Sequence, residues 1–186
     1  MKKILLSFVF VLTAILCSII ITYKHLQIPT EQDVLNMTTS RSVAAEEVYV
    51  IKEIGQQWLT IYGNSQSITI AELKQNWLGT WKLSEEGALS SMYYPPLEDD
   101  QIIWSASGKS NENASYYFGE VIDPEIVKIT VETQNGIFEN VPFIESIGHR
   151  FFLKRAEGLI LMPVNISGFS QSDELIYSSK SPINKE

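Results

Sequence analysis

Directly behind Lys2 and Lys3 the chain carries an uncharged apolar run, residues 4–22 (ILLSFVFVLTAILCSIIIT), followed by Tyr23, Lys24 and His25. No other stretch constrains the fold as much. About 20 apolar residues in a helix cross the hydrocarbon of a bilayer. Ser7, Thr13 and Ser18 interrupt the run, and such hydroxyls bond back to a helix carbonyl one turn earlier. Lysine crowds the N-terminal flank, whereas Lys24 on the far side is soon followed by Glu31 and Asp33. Cytoplasmic flanks hold the excess of Lys and Arg. The expected topology is therefore an N-terminus inside and everything after Tyr23 outside, with Tyr23 placed as an interfacial aromatic. A cleaved signal peptide has a shorter apolar core and a small-residue exit site, but here the run continues through Ile19, Ile20 and Ile21 with no A-x-A pattern behind it. A lipoprotein needs a small residue before the acylated cysteine, and Cys17 follows Leu16. The expectation is a retained transmembrane anchor over residues 1–24, touching lipid through residues 4–22; cleavage and lipidation at Cys17 are the alternatives. Within the span Cys17 acts as a small apolar filler.

Beyond Tyr23 no cysteine remains in the chain, so disulfides contribute nothing to the outer part. The formal net charge is −8, and about −10 once Lys2 and Lys3 are set on the other side of the membrane. That balance excludes nucleic acid as a partner, because a nucleic-acid surface is basic. It also disfavours adhesion to anionic lipid or wall polymer. No cofactor is implied.

Pro29 ends any continuous helix from the span, and Thr30 with Asp33 three residues on is a capping pair for a short helical stretch using Val34, Leu35 and Met37. Residues 25–46 are expected to form a short stalk. From residue 47 the texture is β. The segment EVYVIKEI sets Val48, Val50 and Lys52 against Tyr49, Ile51 and Glu53, and Gly55 breaks it. QWLTIY, a Gly63-Asn64 turn and SITIAEL follow, with Ile68, Ile70 and Leu73 on one face; 77–83 then alternates aromatic and polar residues. These four strands predict an antiparallel meander. Residues 84–100 (Gly87, Ser90, Ser91, Pro95, Pro96) read as punctuation, QIIWSAS as one more strand, and 108–113 as a flexible polar loop. A second β run opens at Tyr116, turns at Asp123-Pro124, alternates strictly through EIVKITVET and meets Asn135-Gly136, the strongest hairpin signal in the chain. Pro142 demotes IFENVPFIES to an edge strand or a bulge. Strands at HRFFLKR, PVNISGFS and DELIYSS complete it. The predicted fold is mainly β: an N-terminal transmembrane helix, a short stalk, an antiparallel meander, then a small Ig-like β-sandwich. The corresponding units are a first β subdomain over 47–107, a second, sandwich-like one over 108–179, and a disordered tail over 180–186; the two β runs form either two subdomains or one continuous sandwich.

Chemistry-bearing patterns are few. His25 and His149 are far apart, no cysteine accompanies them beyond the span, and neither H-E-x-x-H nor a calcium-loop spacing occurs. His149 reads as a turn or half-buried strand histidine rather than a ligand. There is no G-x-S-x-G elbow; Gly108-Lys109-Ser110 echoes a phosphate loop, but position 103 holds Ile103 where the leading glycine belongs. No catalytic constellation emerges, so the expectation is a protein without enzymatic activity. The dense aromatics (Trp58, Trp77, Trp81, Trp104 and the Tyr93-Tyr94 and Tyr116-Tyr117 pairs) are mostly core material. The most plausible surface for a partner is built from Tyr93, Tyr94, Trp104 and Tyr116, because Tyr93-Tyr94-Pro95-Pro96 resists a regular ladder.

The segment YFGEVIDPEIVKITV (residues 117–131), with Arg150-Phe151-Phe152 and Val164-Asn165-Ile166-Ser167-Gly168-Phe169 after it and QQWLTIY and LKQNWLGTWKL before it, resembles an uncharacterised family of small membrane- or lipid-anchored exported β proteins of spore-forming Gram-positive bacteria. The resemblance implies an anchored β protein with no catalytic residues to carry over. The expected function is a single-pass, extracytoplasmic, non-catalytic binding or sensing module of the cell envelope whose partner is another envelope protein. The alternatives are an envelope hydrolase or carbohydrate-binding protein, motivated by the acidic residues and tryptophans, and a structural or immunity-type anchor.

Overall fold

A computed structural model describes residues 2–39, 44–54, 57–109, 114–134, 136–146, 148–160 and 162–180. The expected break at Gly55, Asn135 of the hairpin signal, most of the polar loop over 108–113 and the tail over 181–186 lie outside the described residues.

Helix α1 (Lys2–His25) contains the apolar run, and none of its Leu6–His25 window, of mean hydropathy 2.4, is buried against the rest of the protein. Thr13, Ser18 and Thr22 donate their hydroxyls to the carbonyls of Val9, Ala14 and Ser18, each at 2.9 Å. The hydroxyls of Thr13, Ser18 and Thr22 are thus satisfied inside the helix. Helix α2 (Glu31–Thr38) starts at Thr30 as the sequence predicts: the Thr30 hydroxyl accepts from the Asp33 N–H, and the Asp33 carboxylate accepts from the Thr30 N–H at 2.9 Å. That reciprocal pair satisfies two of the orphan donors at the helix start.

Twelve strands follow among the described residues: β1 (Glu47–Ile54), β2 (Gln57–Gly63), β3 (Ser67–Gln75), β4 (Trp81–Tyr93), β5 (Ile102–Lys109), β6 (Ala114–Val121), β7 (Lys128–Thr133), β8 (Gly136–Phe138), β9 (Phe143–Ser146), β10 (His149–Glu157), β11 (Asn165–Phe169) and β12 (Leu175–Ser178). They form three four-stranded antiparallel sheets, in the orders β1-β2-β3-β4, β5-β6-β10-β9 and β12-β11-β7-β8. The first is the expected meander. The middle and third sheets form the sandwich.

Several particulars differ from the sequence expectation. In β1 the register slips between Val48 and Val50. This bulge puts Tyr49 and Val50 together on the inner face, and Val48 and Ile51 on the outer one, so the simple alternation breaks there. In β3 Leu73 lies on the outer face, away from Ile68 and Ile70, as alternation over an odd spacing requires; the register shifts beside Ala71 come from extra residues in β4. The fourth strand does not end at Leu83. It begins at Trp81 and runs on to Tyr93, through residues that read as punctuation. Its serines are absorbed by pairing: Ser90 and Ser91 lie opposite Ile70 and Thr69, and the Ser91 and Thr69 hydroxyls bond at 2.8 Å. Finally, β5 belongs with β6 in the middle sheet rather than with the meander, so the boundary expected at residue 107 cuts through a paired strand. Pro142 acts as anticipated for an edge: it separates β8, an edge of the third sheet, from β9, an edge of the middle one.

The layers stack in the order α2, first sheet, middle sheet, third sheet. Val34 of α2, fully buried, packs with Val48, Tyr62, Leu73 and Leu83 on the outer face of the first sheet. Within the segment expected to form a stalk, helix α2 is therefore fastened to the body. The inner face of the first sheet meets the middle sheet through Ile61, Ile68, Ile70, Tyr116, Phe118 and Phe151. The other face of the middle sheet meets the third through Tyr117, Phe152, Ile129, Val131 and Ile166. Strand β6 is consequently buried at all eight positions. Its sequence, ASYYFGEV, carries large apolar groups on both faces, the signature of a strand covered on both sides. Gly119 is required there, since a Cβ would sit 2.4 Å from the Phe152 ring and 2.5 Å from the Ile103 carbonyl oxygen.

Candidate functional site

Three places concentrate polar chemistry or exposed aromatic surface. The first is the exit of α1. The β3–β4 turn lies against the last helical turn: the ring nitrogens of His25 are each 3.2 Å from an oxygen, Gln75 Oε1 and Trp77 O. Gln75 Nε2 donates to the carbonyls of Lys24 (3.2 Å) and Gln27 (3.3 Å), and the Trp81 indole N–H donates to Gln27 O at 3.0 Å. Trp81 in turn packs edge-on against Trp58, with ring centroids 5.9 Å apart. A cleft of about 520 Å³, lined in part by Lys24, Gln27, Asp33 and Trp81, opens between the helix exit and the body. The sequence put these two tryptophans among core aromatics, and that is where they sit; their hold on the helix exit depends on pairs about 50 residues apart, which no local pattern displays.

The second place contains part of the expected partner surface. Tyr93, 49% exposed at the end of β4, donates its hydroxyl to Asp100 Oδ2 at 2.5 Å, and the same oxygen accepts from Leu97 N–H at 2.6 Å. Burial first, then the bond to the Asp100 carboxylate, pushes the Tyr93 hydroxyl up to about 12. Half-buried Trp104, on the edge strand of the middle sheet, donates to Tyr177 on the edge strand of the third. Burial raises the Tyr177 hydroxyl, and the Trp104 bond opposes that. Tyr93 and Asp100 both act electrostatically on or with Tyr177, so Tyr93, Trp104 and Tyr177 share one side of the molecule. The other two expected residues do not join them. Tyr94 is half-buried and packs against the core between the first and middle sheets. Tyr116 is 1% exposed in that same core, so it is corrected from a surface residue to a structural one: in a strand with layers on both faces, neither face is free. Tyr177 was not a sequence candidate, because only the stacking of two sheet edges brings it to Trp104.

The third place is buried. Glu120 of β6 is 7% exposed at its side chain, and Oε1 lies 2.5 Å from His149 Nδ1. Oε2 is buried with no hydrogen-bond partner among the described residues. The imidazole is flanked by Tyr49 (centroids 4.6 Å apart) and lies parallel to Phe151 (5.6 Å, 3° between planes). His149 is thus the half-buried strand histidine that its sequence context indicates. Tyr49 closes the cluster from the first sheet, and its hydroxyl is pushed up to about 12, chiefly by burial and next by the Glu47 and Glu120 carboxylates. Among the described residues, no group of three or more His, Cys, Asp or Glu is placed to hold a metal ion.

Fold and helix together define a mainly β protein of antiparallel sheets, sandwiched behind an N-terminal apolar helix long enough to cross a membrane. No family model, curated protein or solved structure matches the chain.

Proposed function

We propose that this chain is a single-pass membrane protein whose N-terminus is cytoplasmic and whose β body is an extracytoplasmic, non-catalytic binding or sensing module of the cell envelope, facing another envelope protein. One observation carries the proposal. The Leu6–His25 helix has no buried apolar window, while every sheet of the body has found its own core. A helix apolar all round and left uncovered by its own protein is at home in lipid. The expected kinship with small anchored β proteins of spore-forming Gram-positive bacteria belongs to the same proposal, and so does the orientation, which rests on Lys2 and Lys3.

The side that meets a partner is the one carrying Tyr93, Trp104 and Tyr177. Tyrosine and tryptophan supply large contact area at low entropic cost and dominate binding hot spots. Two measurements test this. Carbonate-washed membranes should retain the full chain, and protease added to intact spheroplasts should digest the body. A photo-crosslinking residue at position 93 should then give a discrete adduct in cells, and one at Ile137, on the third sheet, should not. Full-length chain in the carbonate wash refutes the anchor; a protected body refutes the orientation; indistinguishable crosslinking at 93 and 137 refutes the surface.

A further inference from the structure

We infer that the tip of the β3–β4 hairpin, carrying Trp77 and Leu78, is a second membrane contact that seats in the lipid headgroup layer beside the exit of α1. The inference rests on the anchor proposed above and adds the surface through which the body meets the bilayer.

The tip is held in one shape. Asn76 Oδ1 accepts from the N–H groups of Leu78 (2.9 Å) and Thr80 (3.0 Å), Asn76 N–H donates to Thr80 O at 3.0 Å, and Gly79 N–H donates to Asn76 O at 2.9 Å. It is also held in one place. Gly79 has φ +76°, and a Cβ on it would lie 2.8 Å from both His25 N and Lys24 Cβ; the turn backbone touches the last turn of the helix. His25 and Gln75 tie the two together from the sides.

Depth follows from helix geometry. The apolar run ends at Thr22 and the tip meets the helix at Lys24 and His25, so contact falls about 3–5 Å beyond the run at about 1.5 Å of rise per residue. The headgroup layer is about 5–8 Å deep on each side, the difference between a bilayer of about 40–45 Å and its core of about 30 Å. The tip therefore lies within that layer whenever the run spans the hydrocarbon. What it presents there suits the layer. Trp77 is 77% exposed and Leu78 39%, and Tyr23, Leu26 and Ile28 are exposed at the same level. Tryptophan and tyrosine, with an apolar body and one polar handle, concentrate at membrane interfaces. The other three tryptophans, Trp58, Trp81 and Trp104, are all partly buried, which leaves Trp77 the one that the fold does not use.

The test uses the full chain with Cys17→Ser, carrying Trp77→Cys, Leu78→Cys or, as a control on the third sheet, Ile137→Cys. Each is labelled with an environment-sensitive fluorophore and reconstituted into phosphatidylcholine vesicles doped with a headgroup-spin-labelled phospholipid. The expected result is a blue-shifted emission at 77 and 78 that loses most of its intensity to the spin label, beside a red, unquenched emission at 137. Two positions are used so that one poorly folding variant does not decide the outcome. If the protein floats with the vesicles but 77 and 78 emit like 137, the tip faces water or a protein partner and the inference is overturned while the anchor stands. If the protein does not float at all, the anchor fails and the inference fails with it.

Discussion

Phe151 and Phe152 are neighbours on β10, so their side chains leave the middle sheet in opposite directions. Both are 0% exposed, the first packed towards the first sheet and the second towards the third. In a two-layer protein one of them would face solvent. Truncating each to Ala in turn therefore measures whether the middle sheet is covered twice. A buried aromatic contributes about 150–250 Å² of contact surface. At about 25 cal/mol per Å² this is worth roughly 4–6 kcal/mol, an upper value because unfolded chains already bury part of it. The cost of Phe→Ala in a core is about 3–5 kcal/mol, so the two figures agree. Against a total of about 5–15 kcal/mol for a domain, either change is severe but measurable. The assay is urea unfolding of the detergent-solubilised full chain, followed by tryptophan fluorescence, with Ile137→Ala, 60% exposed, as a control expected to stay within about 0.5 kcal/mol. The prediction is a loss of about 3–5 kcal/mol for Phe151→Ala and for Phe152→Ala alike. A loss below about 1 kcal/mol at either one, with the other large, would refute the stacking of three sheets, because an exposed aromatic costs little to remove.

Four further outcomes are expected. Gly119→Ala should cost about 2–3 kcal/mol through overpacking against Phe152 and the Ile103 carbonyl, and Phe152→Leu in the same chain should recover part of that in a double-mutant cycle. His149→Ala strips the buried Glu120 carboxylate of its partner and should cost about 3–5 kcal/mol by the same unfolding assay, whereas Glu120→Gln with His149 retained should cost less. The Tyr49 and Tyr93 hydroxyls, both raised from 10.0 to about 12, hold their protons longer folded than unfolded. Their contribution is complete below the unfolded value and lost as pH climbs through the folded one, so the urea midpoint should fall from about pH 10 upward while phenolate absorbance shows late-titrating tyrosines, Tyr177 among them, and Tyr93→Phe should remove one. Thr30→Ala removes the cap of α2 and should cost about 0.5–2 kcal/mol, read as a lowered thermal midpoint.

Sequence alone determined the pieces of this protein whose causes are local. The helix over 4–22 follows from an unbroken apolar composition, the start of α2 from Thr30 and Asp33 three residues apart, and most strands from period-two alternation between turn residues; even the demotion at Pro142 is a one-residue effect. Tertiary structure decided whatever depends on two distant segments meeting. The bulge at Tyr49 re-aims side chains by one position, and an extra residue in a ladder leaves no mark on composition. Residues 84–93 became strand because β3 offered them a ladder, which outweighed serine's preference for turns. Tyr93 came to share a side with Trp104 and Tyr177, and Tyr116 was lost to the core, because three sheets stacked and covered both faces of β6. Burial is a property of what lies opposite, and only the folded chain supplies the other side.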